Sequence, residues 1–309
     1  VRNAGDYLKN TPLNSDSPWA EVPGTRLGNV LSCRKSFHIF MTDGGWNSST
    51  SSTTTNIDGD RNLTGYKTIS PGNIDGTNAT FADQKSYVAS STQTKIYSDL
   101  WGSTSQTCSN RTSCSTDGIN TLADLSFYYW ATDLRDDIPN KVKPIIKKSG
   151  SEIFKNSRNQ NIEIEEYWNP KNNPATWQSL TTYTIGFNNA ATWTGTPIWG
   201  GDTYSGDYSK LITGDLSWPS PLCKSDNTPS DNGTFSCDGV YNKTTSGYNA
   251  NENNRKKELW HMAINGRGKF IPATTSDDLK NAFKDIVSNI IEDTSQPLTG
   301  YASSSSSIS

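Results

Sequence analysis

The chain has 309 residues, of which 32% are hydrophobic, and carries a formal net charge of −3 with a pI near 5.5. That length makes one large domain or two ordinary ones, and a mean hydropathy of −0.70 leaves much of it as surface loop around a modest core. The acidic balance argues against a dedicated nucleic-acid surface, which needs clustered Lys and Arg. No apolar run approaches the roughly 18 residues that a bilayer span requires.

Residues 1–9, "VRNAGDYLK", read as the end of a helix, and residues 10–32 are rich in turn formers. The chain opens without Met or a signal peptide and reads as a piece of a longer, processed protein. In "SFHIFMTD", Phe37, Ile39 and Met41 point one way and His38, Phe40 and Thr42 the other. Apolar residues on both faces predict a central strand of a parallel sheet covered by helices. Residues 44–119 lack a helical period. Their two echoing turns, "NIDGDRNLTGY" and "NIDGTNATF", predict an inserted β-hairpin or loop module. "DGDRN" at 58–62 starts like a calcium loop, but Leu63 and Ile69 stand where Gly and Glu are required, so a hairpin turn is expected.

"INTLADLSFYYWATDLRDD" predicts a helix over 119–137, capped by Asn120 or Thr121 and stopped by Pro139. Leu122, Leu125, Ser126, Tyr129 and Leu134 form its stripe. A polar excursion at 140–178 includes the basic run "KVKPIIKK", read as a solvated edge. "SLTTYTIGF" (179–187) predicts a strand. A third excursion, 188–254, is rich in Trp, Gly and Pro. "NRKKELWHMAING" predicts a helix ending at Gly266, and "GKFIPA" a short strand. "TSDDLKNAFKDIVSNIIED" predicts a helix with Thr275 and Asp278 at capping-box spacing. Leu279, Ala282, Phe283, Ile286, Val287 and Ile290 give that helix one continuous apolar stripe. Residues 295–309 are a Ser-rich linker. Alternating strands and helices predict an α/β domain over 1–294, built on a parallel sheet with flanking helices, whose surface the excursions decorate.

Five cysteines are present. Cys108 and Cys114, in "CSNRTSC", and Cys223 and Cys237, in "CKSDNTPSDNGTFSC", have no zinc-ligand spacing and are read as two local disulfides, which implies an oxidising compartment. Cys33 is left over, either paired with an upstream segment or a buried free thiol. His38 and His261 lie in a strand and a helix with no nucleophile motif and are read as packed structural residues. "EIEEYW" (163–168) concentrates carboxylates. With Trp168, Trp177, Trp193, Trp199 and Trp218 it supports an alternative function, a secreted carbohydrate-binding module or glycoside hydrolase. The contrary reading is that these aromatic rings pack on one another.

Asp43 ends the first strand and is followed by Gly-Gly. A carboxylate at the C-terminal end of a parallel strand sits where open α/β sheets bind ligands, so Asp43 is a candidate ligand for a hard divalent cation; the other reading is a turn-capping Asp. "IFMTDG" resembles the fourth strand of von Willebrand factor A domains, whose TDG-type Asp belongs to a metal-ion-dependent adhesion site. More narrowly, "SCRKSFHIFMTDGGWN", "LADLSFYYWATDLRDDI", "PATWQSLTTYTIGF" and "ELWHMAINGRGKFIPATTSDDLKNAF" occur in the order found in the PilC/PilY family of type IV pilus tip adhesins, over residues 32–290.

The resemblance implies a von Willebrand A-like, Rossmann-like domain, export to the periplasm, and display at the pilus tip on the cell surface. It implies minor pilins as partners, a host-cell or abiotic surface receptor, and no enzymatic activity. Binding would reside in the inserts 44–119 and 188–254. The adhesion site of such domains also needs an upstream D-x-S-x-S, which is absent before Asp43. Thr42 and Asp43 would then be the surviving wall of an incomplete site, the first strand would be missing, and a Mg or Ca ion would belong to the full-length protein rather than to this chain.

Overall fold

In a computed structural model, the structure describes residues 1–42, 74–99, 121–187, 198–218 and 252–295. The elements are α1 (Arg2–Asn10), β1 (Ser36–Thr42), a short hairpin of β2 (Ala79–Thr80) and β3 (Ser86–Tyr87), and α2 (Leu122–Ala131). A second hairpin follows, β4 (Glu152–Lys155) and β5 (Asn161–Ile164), with one 3-10 turn at Glu166–Trp168. Then come β6 (Leu180–Phe187), α3 (Tyr208–Thr213), α4 (Glu252–Asn265), β7 (Arg267–Ala273) and α5 (Ser276–Ser295).

The principal sheet is parallel, in the order β1-β6-β7, with Ser36 opposite Leu180 and Thr42 opposite Gly186. This is the α/β, Rossmann-like layering that the alternating elements predict. Within the described sheet β6 is central and β1 lies at one border, so its residues are mostly half-buried and Met41 is exposed. The alternation of β6 sorts the two faces. Tyr183 and Ile185 join Ile271, Ala273, Ala282 and Ile286 on the α5 side. Thr182 and Thr184 face the other way, where the Thr184 hydroxyl donates to the Leu259 carbonyl of α4 at 2.8 Å.

The expected box at Thr275 forms, and Thr121 caps α2 with a second one. The Asp124 amide donates to Thr121 Oγ1 at 3.0 Å while the Thr121 amide donates back to Asp124 Oδ2 at 2.9 Å. Thr275 and Asp278 repeat the exchange at 2.9 and 3.1 Å. α2 is shorter than its sequence suggests. It ends at Ala131, because Thr132 is extended and Arg135 is drawn into a two-pronged pair with Asp137 at 2.6 Å on each arm. Leu134 is buried but belongs to the turn beyond the helix. The α5 stripe is split: Ala282 and Ile286 are buried, while Phe283 and Val287 stay exposed.

Three expectations need correction. β1 is a border strand of the described sheet and not a central one. Cys33 is an exposed free thiol, not a buried one. The excursions do not merely decorate the surface; their described parts build the largest core. Phe81, Tyr87, Ile96 and Tyr97 from the first, Ile164, Trp168 and Trp177 from the second, and Tyr208, Leu211 and Trp218 from the third all pack with Phe127, Trp130, Leu259, Trp260 and Phe270. The low apolar count is the reason, since aromatic rings bury large areas each. Phe81 alone lies within 5.3–6.3 Å of five other rings.

At the start of β7 the backbone passes close against β6. A β-carbon at Gly268 would collide with the Thr182 carbonyl, whose carbon lies 2.6 Å from that position. Backbone on both sides leaves no side chain to yield, so Gly268→Ala is expected to destabilise the chain by about 2–4 kcal/mol. Chemical denaturation of the two proteins checks this, and equal midpoints would contradict it.

Candidate functional site

The most concentrated chemistry in the described structure lies where the first excursion meets α4. Helix α4 carries Glu258, His261 and Asn265 on successive turns, all fully or almost fully buried. Buried polar groups must be satisfied, and the partners come from residues distant in sequence. Asp75 and Asp99 flank the described stretch 74–99, and Asp124 sits in the first turn of α2. Asp75 Oδ1 accepts from the Asp99 amide at 3.2 Å, and its Oδ2 accepts from Asn265 Nδ2 at 2.8 Å. Asp124 Oδ1 accepts from the amides of Ile74 and Asp75 at 2.8 and 3.2 Å. Glu258 Oε1 accepts from the Ala123 amide at 2.8 Å, which places a carboxylate on the N-terminus of α2. The Tyr87 hydroxyl donates to the Asp75 carbonyl.

His261 lies among these acids. Its Nε2 is 2.8 Å from the Tyr97 carbonyl and 3.6 Å from Asp75 Oδ2; its Nδ1 is 3.9 Å from both Asp99 Oδ2 and Glu258 Oε2. The ring stacks on Trp218 at 4.5 Å and 14°. Burial pushes the Asp75 carboxyl well above the usual carboxylate range, and Asp99, Asp124 and Glu258 push it further. Burial also raises Asp124, to about 7, against the hydrogen bonds from Thr121 and Asp75 that favour its anion.

Arg267 bounds the cluster from below. Its guanidinium lies 4.1 Å from the ring centres of both Tyr97 and Trp130, and donates to the Tyr97 hydroxyl and, at 3.3 Å, to the Asn169 carbonyl. Holding it there places Arg267 at φ +57°, a left-handed conformation unusual for a side-chain-bearing residue, and shifts the β6–β7 register between Thr182 and Thr184. Burial lowers the guanidinium's pKa.

The residues singled out from sequence are distributed differently. Thr42 closes β1 beside Gly186. Asp43, Cys108, Cys114, Cys223, Cys237 and Trp193 lie outside the described residues. Trp168, Trp177 and Trp218 are buried, and Trp199 packs edge-on against Trp260 and Phe270 at 4.9 and 4.7 Å. The carboxylates of "EIEEYW" have separate partners: Glu165 pairs with Lys85 at 3.4 Å, and Glu166 accepts from the Gly150 amide at 2.6 Å. His38 is a half-buried strand residue whose desolvation holds its pKa down to about 4. The Asp75–Asp99–His261 convergence was missed, because no local spacing links three residues so far apart in sequence. The one available signal was a helix carrying Glu, His and Asn at i, i+3 and i+7 amid apolar neighbours.

This is a parallel α/β domain whose large excursions are fastened to its helices through a buried acid–imidazole cluster. In sequence it is similar to Type IV pilus biogenesis factor PilY1 of Pseudomonas aeruginosa strain PAK, 35% identical over 290 residues covering 94% of the chain and 18% of that protein. PilY1 of strain PAO1 is 34% identical over the same share of each chain, and PilY1 of strain UCBPP-PA14 is 33% identical over 307 residues, 20% of its length. Over nearly all of its own length the chain is similar to these type IV pilus biogenesis factors, and it spans about a fifth of the length of the curated relatives it matches. No family model matches the chain, and no solved structure does.

The Arg267 sandwich ties the excursion to the sheet through two cation–π contacts, each worth about 1–2 kcal/mol when desolvated. Arg267→Ala is expected to lower stability by about 2–4 kcal/mol. Thermal unfolding measures the change, and an unshifted midpoint would mean the buried cation contributes nothing net.

Proposed function

We propose that this chain is part of a pilus-tip-associated adhesin and assembly factor of type IV pili, a non-enzymatic protein exported to the periplasm and displayed on the cell surface. It would engage minor pilins and a host-cell or abiotic surface receptor. The observation that carries this reading is the 33–35% identity to PilY1 across 94% of the chain. The fold is compatible with it. A parallel sheet presents loops at the C-terminal ends of its strands, where α/β folds place their binding sites, and β1 ends there at Thr42. On the von Willebrand A-like reading, Asp43 and Thr42 form one wall of a divalent-cation adhesion site that the full-length protein completes. The two inserts beyond the described core, within 44–119 and 188–254, then carry recognition. Among the described residues no helix is long and apolar enough to cross a membrane. Burial of Trp168, Trp177 and Trp218 takes three of the five rings behind the carbohydrate reading away from any sugar-stacking surface.

In-frame deletion of residues 1–294 from the parent protein tests the proposal. Surface piliation and attachment to abiotic surfaces are expected to fall to the level of a strain lacking the whole protein, with the truncated protein still exported. Unchanged piliation and attachment would contradict the role.

A further inference from the structure

Asp75, Asp99 and His261 each bring one ligand atom to within 4.8 Å of the others, and all three are buried. The imidazole carries the argument. Its Nε2 lies at hydrogen-bond distance from the Tyr97 carbonyl, 2.8 Å away, and a carbonyl can only accept, so the proton sits on Nε2. In the neutral ring Nδ1 then turns a lone pair inward. It has no hydrogen-bond partner among the described residues and faces Asp99 Oδ2 and Glu258 Oε2, both at 3.9 Å. That distance is too long for a hydrogen bond even if Nδ1 were protonated. A fully buried lone pair opposite two carboxylate oxygens is repulsive as it stands.

A cation between them converts the repulsion into bonds. Zinc–nitrogen and zinc–oxygen distances of about 2.0–2.2 Å sum to more than 3.9 Å, so an ion fits with a bent N–metal–O angle. The surrounding hydrogen bonds are those that orient metal ligands: a carbonyl on the far imidazole nitrogen, and Asn265 and the Asp99 amide on Asp75. We propose that Asp75, Asp99 and His261 bind one zinc-type divalent cation in a closed structural site, with Glu258 beside His261 as a neighbouring charge. An imidazole in the set favours a borderline metal over Ca or Mg, which prefer all-oxygen coordination. The consequence is mechanical. Asp75 and Asp99 stand at the two ends of the described stretch 74–99, from which the rest of the first insert continues in both directions. The ion would pin both ends of this described stretch to α4.

The 309-residue chain, stripped with chelator, is titrated with Zn, Mn, Ca and Mg, and bound metal is counted by mass spectrometry. One equivalent of zinc is expected, with the unfolding midpoint raised by about 4 °C at saturating metal and little response to Ca or Mg. Asp99→Asn and His261→Gln are expected to weaken zinc binding about 100-fold or more, whereas Cys33→Ser and Asp43→Ala leave it intact. Cobalt in place of zinc provides a readout on the unaltered chain: visible ligand-field bands of a nitrogen–oxygen site, without thiolate charge transfer. No stoichiometric zinc, undiminished binding in the Asp99 and His261 variants, or thiolate bands with cobalt would each overturn the assignment.

Discussion

The structure depends on covering the polar face of α4. A helix with Lys256, Lys257, Glu258, His261 and Asn265 in its sequence ought to turn those residues to water, yet all five are buried. Each buried polar group needs a partner, or costs about 1–3 kcal/mol. The excursions supply these partners. Tyr97 gives its carbonyl to His261 and Asn265, Asp75 takes the Asn265 amide, and Glu258 reaches the first turn of α2. Without the excursions α4 would expose a charged, half-apolar surface and Trp130, Trp260 and Phe270 would lose much of their packing.

This dependence explains how a chain with so few aliphatic residues holds a three-layer domain. The sheet buries its α5 face conventionally, with Tyr183, Ile185, Ile271 and Ile286. The other face is sealed by rings delivered from afar, among them Phe81, Tyr87, Trp168 and Trp218. Their hydrogen bonds fix where each sits: the Trp218 indole donates to the Ile96 carbonyl at 2.7 Å, and the Trp177 indole to the Trp130 carbonyl at 2.9 Å. Aromatic side chains thus act as both filler and register marks, a use that fits their amphipathic chemistry.

The framework was legible because its signals are local. Apolar faces on both sides of "SFHIFMTD", β-branched residues in "SLTTYTIGF", the Thr275–Asp278 box and the glycine closing α4 predicted β1, β6, α5 and the end of α4 within a residue or two. The β4–β5 hairpin was not seen. Its turn is centred on Asn159 at φ +58° rather than on an Asn-Gly pair, and its strands mix charges on the outer face with Ile162 and Ile164 inside. The end of α2 was placed too late because Pro139 is an obvious stop while the Arg135–Asp137 pair, which bends the chain first, is not. The cluster around His261 was illegible for a deeper reason: burial of a charged helix is decided by what folds over it, and the Glu258, His261, Asn265 spacing does not say which distant residues those are.

Native-state hydrogen exchange tests whether the excursion and the sheet form one unit. The Asp99 amide is bonded to Asp75, the Ala123 amide to Glu258 and the Thr182 amide to the Gly266 carbonyl, so the three sample the insert, the cluster and the sheet. Opening free energies that agree within about 1 kcal/mol are expected if α4 cannot stay buried without the insert. An Asp99 amide that exchanges near its unfolded rate while Thr182 remains protected would show the excursion to be an ornament, and the account built on α4 would be wrong.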